Sequence, residues 1–151
     1  MRRVAAFTLV EIMIVVAIIA LLAAMALPSF MRARQKAQNA KLINGLRVAT
    51  DAFQMYAIEH SAYPPDVNRG VVPAGMALYF GPTFDFTKRT PIGGNWDWDY
   101  NTFGFTAGVS VVGSGADTTR MSEIDAKIDD GDLSTGGFQE TAEDRYTSII
   151  E

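Results

Sequence analysis

The chain has 151 residues, no cysteine, one histidine, 48 % hydrophobic residues and a formal net charge of −4. The acidic balance argues against nucleic acid as a partner; the missing cysteines remove disulfides while leaving an exported location open. With about 30 N-terminal residues set aside for the apolar segment described next, roughly 120 remain, enough for one modest core and not for two domains.

From Phe7 to Leu27 the sequence FTLVEIMIVVAIIALLAAMAL is apolar apart from Glu11, and it begins directly behind the short basic stretch MRRVAA. As a helix it would measure roughly 31 Å, matching a hydrocarbon core of roughly 30 Å, so a membrane span is predicted. A lone acid deep in a bilayer costs on the order of 2 to 3 kcal/mol. Two readings of Glu11 fit. It lies near enough to the helix end to reach headgroup water, or it answers a cation. Glu11 sits four residues after Phe7, on the same helix face; a cut before Phe7 would place a new ammonium within its reach, on the same molecule or a neighbour. MRRVAA ends in two small residues, as processing sites do, but the apolar run follows them, the reverse of an ordinary secretory signal.

Ala6 followed by Phe7-Thr8-Leu9-Val10-Glu11 and an apolar run ending near Pro28 resembles the class III signal of type IV pilins and type II secretion pseudopilins. The resemblance is close over roughly the first 30 residues and looser over the helix that follows. It implies cleavage between Ala6 and Phe7 by a prepilin peptidase, N-methylation of Phe7, and assembly roles for Thr8, Glu11 and Pro28, with Glu11 pairing to a neighbouring subunit's N-terminus. It further implies identical or related pilin subunits and an inner-membrane assembly platform as partners. Ala6 departs from the glycine usual before the cut; as the next smallest side chain, it is expected to leave processing unchanged or slower. Pro28 removes the hydrogen bond to the Ala24 carbonyl and would kink or loosen the helix, or mark the end of the span.

Past the span, Arg32, Arg34, Lys36, Lys41 and Arg47 precede the first acid, Asp51. A count of flanking charge alone would put this side in the cytoplasm. The resemblance implies the opposite, a single-pass protein of the bacterial inner membrane with its N-terminus cytoplasmic and its domain periplasmic; long domains translocate despite such charge. From Ala33 to about His60 the apolar positions Ala37, Ala40, Leu42, Ile43, Leu46, Ala49, Phe53, Tyr56 and Ala57 recur at threes and fours, predicting an amphipathic helix continuous with the span. Gly45 opposes it by about 1 kcal/mol. Pro64-Pro65 stops it.

Residues 63–94 read as loops with a weakly signalled turn at Met76 to Tyr79, and with Tyr63, Tyr79, Phe80, Phe84 and Phe86 tucked against the helix. Trp96, Trp98 and Tyr100 alternate with Asp97 and Asp99, which predicts a strand with aromatics on one face and two acids on its wet face. A turn at Asn101 to Gly104 leads to a second strand, Phe105 to Val111, and RYTSII supplies a third at Tyr146 to Ile150. AYPP and TPIGGNWDWDY resemble, distantly, the tyrosine-proline and Pro-Trp-Gly-type motifs of major pseudopilins, with Ile92 where Trp is expected.

Met121, Ile124 and Ile128 predict a short helix ending at Gly131, with Glu123, Asp125, Asp129, Asp130 and Asp132 gathered around its C-terminal half. Acids oppose the negative end of a helix dipole, so a cation would compensate them. Calcium takes several oxygen ligands, and the resemblance to major pseudopilins implies calcium near the C-terminus. IDAKIDDGDLSTGG nevertheless does not follow the EF-hand spacing, and a solvated acidic turn is the competing reading. Asp125, Asp129, Asp130 and Asp132 are the candidate calcium ligands; no other cofactor is expected.

Enzyme readings find little support. His60 falls at the predicted helix C-terminus, where a cation suits the dipole, and GVSVVGSGAD lacks the Lys and Ser/Thr of a phosphate loop. No catalytic residue is assigned. The expected fold is α+β and pilin-like, a long N-terminal helix with a membrane-embedded first half, packed against a small antiparallel sheet. Residues 1–6 form the leader, 7–30 the transmembrane and assembly helix, and 31–151 the periplasmic globular domain, which includes the helix to about residue 60. The expected function is a non-enzymatic filament subunit of a type IV pilus or type II secretion pseudopilus serving secretion, adhesion or motility. The alternative is a membrane-anchored periplasmic binding or sensor module with an uncleaved anchor.

Overall fold

A computed structural model of the chain describes residues 8–151. The leader, the Ala6–Phe7 junction and Phe7 itself lie outside the described residues. In chain order the elements are helix α1 (Leu9–His60), a 3-10 turn (Met76–Leu78), strands β1 (Asn95–Thr102) and β2 (Phe105–Val112), helix α2 (Thr118–Ile128), and strands β3 (Phe138–Ala142) and β4 (Arg145–Ile149). The chain divides into two compact units, one ending at Ala37 and the other spanning Gln38–Glu151.

In the first unit α1 is apolar and exposed; Met25, Leu9 and Leu21 are 80 %, 75 % and 70 % accessible. Nothing in an aqueous fold keeps so many large apolar side chains wet, and this stretch is long and apolar enough to cross a membrane. Pro28 is accommodated inside the helix, which continues without interruption to His60.

The second unit is built on the other half of α1. Asn39, Leu42, Gly45, Leu46, Ala49, Ala52 and Phe53 are buried, at spacings of three, three, one, three, three and one, which is a single helical stripe. It faces an antiparallel sheet of order β1-β2-β4-β3. Trp96 and Trp98 of β1, Ala107, Val109 and Val111 of β2, Tyr146 of β4 and Phe138 of β3 form the covered face. Met121 and Ile124 of α2 and Leu133 extend the same core. The expected α+β architecture is thus present. β3 is a strand that the sequence reading did not delimit; its five residues carry one fully buried side chain, Phe138, and a register shift at Glu140/Ala142 breaks the alternation.

Two aromatic contacts position the sheet. The rings of Phe53 and Trp98 stack with centroids 3.7 Å apart, while the Trp98 indole N–H donates to the Pro64 carbonyl at 3.0 Å. Phe80, Phe84 and Phe86 pack edge-on and face-on around Phe53 and Trp96, so the loop aromatics are core residues as expected. The β1–β2 turn is a two-residue loop with positive φ at both Phe103 (51°) and Gly104 (90°), the arrangement that matches strand twist.

Both outer strands have partners other than strands. On β1 the Trp96 carbonyl accepts from Gly70 N–H at 2.8 Å, the Tyr100 N–H donates to the Asp66 carboxylate at 3.2 Å, and Asn95 bridges to Arg89. On β3 the Glu140 N–H donates to the Leu133 carbonyl at 2.8 Å.

Gly45 explains itself here. A Cβ at this position would stand 2.8 Å from Cη2 and 2.9 Å from Cζ2 of Trp96, closer than carbon atoms approach. Gly45→Ala therefore gains up to about 1 kcal/mol of helix propensity but forces the indole aside, which costs about 1–3 kcal/mol as overpacking. We expect a net loss of stability in urea or thermal unfolding of the detergent-solubilised chain, whereas Gly81→Ala, with open space around it, stays close to neutral.

Candidate functional site

Three groups of polar side chains stand out against this scaffold. The first opens α1. Glu11 lies in the first turn, and its carboxylate accepts from Thr8 N–H at 2.8 Å and Thr8 Oγ1 at 2.9 Å, while Thr8 Oγ1 accepts from Glu11 N–H at 3.2 Å. This is a reciprocal capping box, Thr8 at the N-cap and Glu11 three residues on. The lone acid of the apolar run is thus already hydrogen-bonded within its own chain. The pattern Thr8-Leu9-Val10-Glu11 carries the capping-box signature in the sequence itself.

The second group lies after α2. Asp117 caps this helix by accepting from Arg120 N–H at 2.7 Å, and Arg120 ties it to α1 through Asn39 Oδ1 at 2.8 Å and Gln38 Oε1 at 3.1 Å. Asp125, Asp129 and Asp130 come together with one carboxylate oxygen each inside a mutual 4.8 Å. Asp125 is fully buried, and neither of its oxygens has a hydrogen-bond partner among the described residues. Burial, then the charges of Asp130 and Asp129, push its carboxyl above the usual range. Asp132 is not part of this group: its Oδ1 accepts from Ser134 N–H at 3.0 Å and Ser134 Oγ at 2.7 Å, inside its own turn. Asp130 accepts from Asp132 N–H and Thr135 Oγ1, each at 2.9 Å, and Asp129 accepts from Gly137 N–H.

The third group corrects an expectation. Asp97 and Asp99 do not form a wet strand face; both are buried. Arg145 of β4 reaches across the sheet, donating to Asp97 Oδ2 at 2.8 Å and to both Asp99 oxygens at 2.7 and 2.6 Å. Ser110 donates to Asp99 and contacts Thr147 Oγ1 at 2.7 Å, and the Phe103 ring covers the guanidinium at 4.5 Å. No local sequence signal pairs Arg145 with residues almost fifty positions earlier. His60, by contrast, sits at the end of α1 as expected, with Nδ1 3.1 Å from the Tyr56 carbonyl and its ring stacked on Tyr56.

Asp97 has one orphaned oxygen, Oδ1, and burial pushes its carboxyl up, a rise that the Arg145 hydrogen bond opposes and the charges of Asp99 and Asp66 reinforce. The folded state then holds a proton that the unfolded state has released, so this group makes stability fall as pH rises from about 4 through its raised value. Asp97→Asn keeps an acceptor for Arg145 and removes the titration. Its stability should fall less steeply than the parent's across that window in urea melts at a series of pH values. Asp125 is pushed the same way but is present in both proteins, so the difference between the two profiles isolates Asp97.

Comparison with known proteins adds the remaining facts. Residues 1–27 match the prokaryotic N-terminal methylation motif. The type II secretion system core protein G of Klebsiella pneumoniae is 38 % identical over 64 residues, 42 % of this chain and 46 % of that protein. The protein of the same description from Klebsiella michiganensis is 29 % identical over 120 residues, 74 % of this chain and 82 % of that one. The type IV wide pilus major component PilA4 of Thermus thermophilus is 40 % identical over 63 residues, 42 % of this chain and 48 % of that protein. The chain spans less than half the length of the Klebsiella pneumoniae and Thermus thermophilus proteins. No solved structure matches. The chain therefore carries the prokaryotic N-terminal methylation motif on a pilin-like α+β fold, and its relatives bear the names of type II secretion and type IV pilus components.

Proposed function

We propose that the chain is a structural, non-enzymatic subunit of a type IV pilus or type II secretion pseudopilus. The observation that carries this reading is the exposed apolar stretch of α1 with its one acid, capped, in the first turn. A prepilin peptidase removes residues 1–6, and the new terminus at Phe7 is methylated. The subunit waits in the inner membrane with its N-terminus cytoplasmic and its domain periplasmic. An assembly platform then passes it into a filament of identical or related subunits.

Thr8 satisfies the Glu11 carboxylate while the helix is surrounded by lipid, which lowers the cost of an acid there. Cleavage creates an ammonium one residue before Thr8. In a bundle of apolar helices a charge left unpaired is heavily penalised, so pairing Glu11 with a neighbour's terminus selects one register over its slipped alternatives. Intact mass of the membrane-extracted protein should show loss of residues 1–6 and gain of one methyl group. An unprocessed terminus in cells with an active prepilin peptidase would instead favour an uncleaved anchor on a binding or sensor module. Glu11→Ala should insert normally into membranes and fail to give filaments in electron micrographs.

A second proposal concerns the acidic turn and rests on Asp125. A buried carboxylate with both oxygens unpartnered, close to two exposed acids, suits a hard divalent cation with all-oxygen ligation. Asp125, Asp129 and Asp130 would hold calcium, which would neutralise the charge facing the C-terminal end of α2 and brace the following turn. Calcium at 100 times its dissociation constant would add about 2.7 kcal/mol, read as a raised melting temperature of the detergent-solubilised full chain that chelation reverses. Asp125→Asn should abolish that rise while melting no lower than the chelated parent, because it removes an uncompensated buried charge.

A further inference from the structure

A groove of about 650 Å³ runs between residues 40–48 of α1 and residues 82–91, with Gly45, Phe84 and Trp96 in its lining. Lys41, Lys88 and Arg89 line it and are exposed. Its one acid, Asp85, already pairs with Lys88 at 3.3 Å, so cationic charge is in excess there although the chain as a whole is acidic.

The complementary surface is on the same molecule but cannot reach the groove. The turn Asp129–Asp132 presents three exposed carboxylates beside β3, tied to that strand region through Asp129 to Gly137 and Leu133 to Glu140. The groove flanks β1, where Arg89 bridges to Asn95. β1 and β3 are opposite edges of a four-stranded sheet, three strand spacings apart, or about 14 Å. The turn is also stiff before any contact is made, because Asp130 and Asp132 hold its backbone N–H groups; docking it therefore costs little ordering entropy. When two complementary surfaces occupy opposite flanks of one domain, the contact is head-to-tail. Such contacts generate open filaments wherever the rotation between copies does not close a ring.

We propose that this groove receives the Asp129–Asp132 turn of a second copy of the chain, forming the lateral contact between neighbouring domains. The proposal rests on the filament reading above and names the surface by which neighbouring domains recognise each other. Asp132, which stands outside the three-carboxylate group and whose Oδ1 is held by Ser134, offers its Oδ2 to Lys88 and Arg89 when Asp125, Asp129 and Asp130 are occupied by a cation.

The absence of cysteine makes the test direct. In the full-length chain carrying both Lys88→Cys and Asp132→Cys, assembled in calcium-containing buffer, mild oxidation should give a ladder of disulfide-linked multimers. The single variants should give no ladder beyond a dimer. In a parallel pair, Arg89→Glu and Asp132→Arg should each lower filament yield about ten-fold, and their combination should restore it. Filaments that form normally but give no ladder would overturn the docking while leaving the filament reading in place. Absence of filaments from the unmodified chain, with its peptidase present, would overturn both. If the cysteine pair itself does not assemble, the charge exchange decides, and failure of the combined variant to recover overturns the contact.

Discussion

The domain depends on one face-to-face contact, the stacking of Phe53 on Trp98. Phe53 comes from the last turns of the buried stripe of α1 and Trp98 from the centre of β1, so the pair holds helix and sheet at a fixed depth. Trp96, two residues earlier on the same strand face, then falls over α1 one helical stretch back, where the absence of a side chain at Gly45 admits it. Glycine's unfavourable helix propensity is therefore the local cost of bringing an indole into contact with a helix backbone. The loop aromatics and α2 fill what these two indoles leave open.

The opposite face of the sheet obeys different physics. There, two carboxylates share one guanidinium under an aromatic cover, with Ser110 and Thr147 completing the network. Breaking such a group by removing Arg145 would leave two buried anions without a counter-charge, a loss of about 3–5 kcal/mol. Because Arg145 lies on β4 and the acids on β1, the network joins strands that are not neighbours and secures the C-terminal strand across the sheet. The inner face supplies burial and the outer face supplies directional specificity.

The helices were legible because their signals are local. The apolar run, the three-and-four spacing from Leu42 to Phe53 and the Met121–Ile128 pattern each depend on residues within two turns. Trp96 to Tyr100 was legible as a strand for the same reason, since alternation needs only its own neighbours. What escaped was set by distant partners. Asp97 and Asp99 alternate with aromatics as solvent-facing residues do, and only the folded position of Arg145 buries them. β3 escaped because Phe138 is its one fully buried side chain and the shift at Glu140/Ala142 disrupts the period. At the candidate sites the sequence singled out Glu11 and the acidic turn, but not that Thr8 caps the first or that the Asp132 carboxylate is engaged by Ser134 within its own turn.

The partners of the outer strands bear on life at high density. Wherever chains meet at high local concentration, a bare strand edge is a template for indiscriminate cross-chain pairing. Here Gly70 and Asp66 engage the exposed margin of β1, and the Leu133 carbonyl takes an N–H of β3. Runaway amyloid-like growth is thereby hindered at both margins, so any contact between copies falls to side-chain chemistry, which can be made selective and reversible.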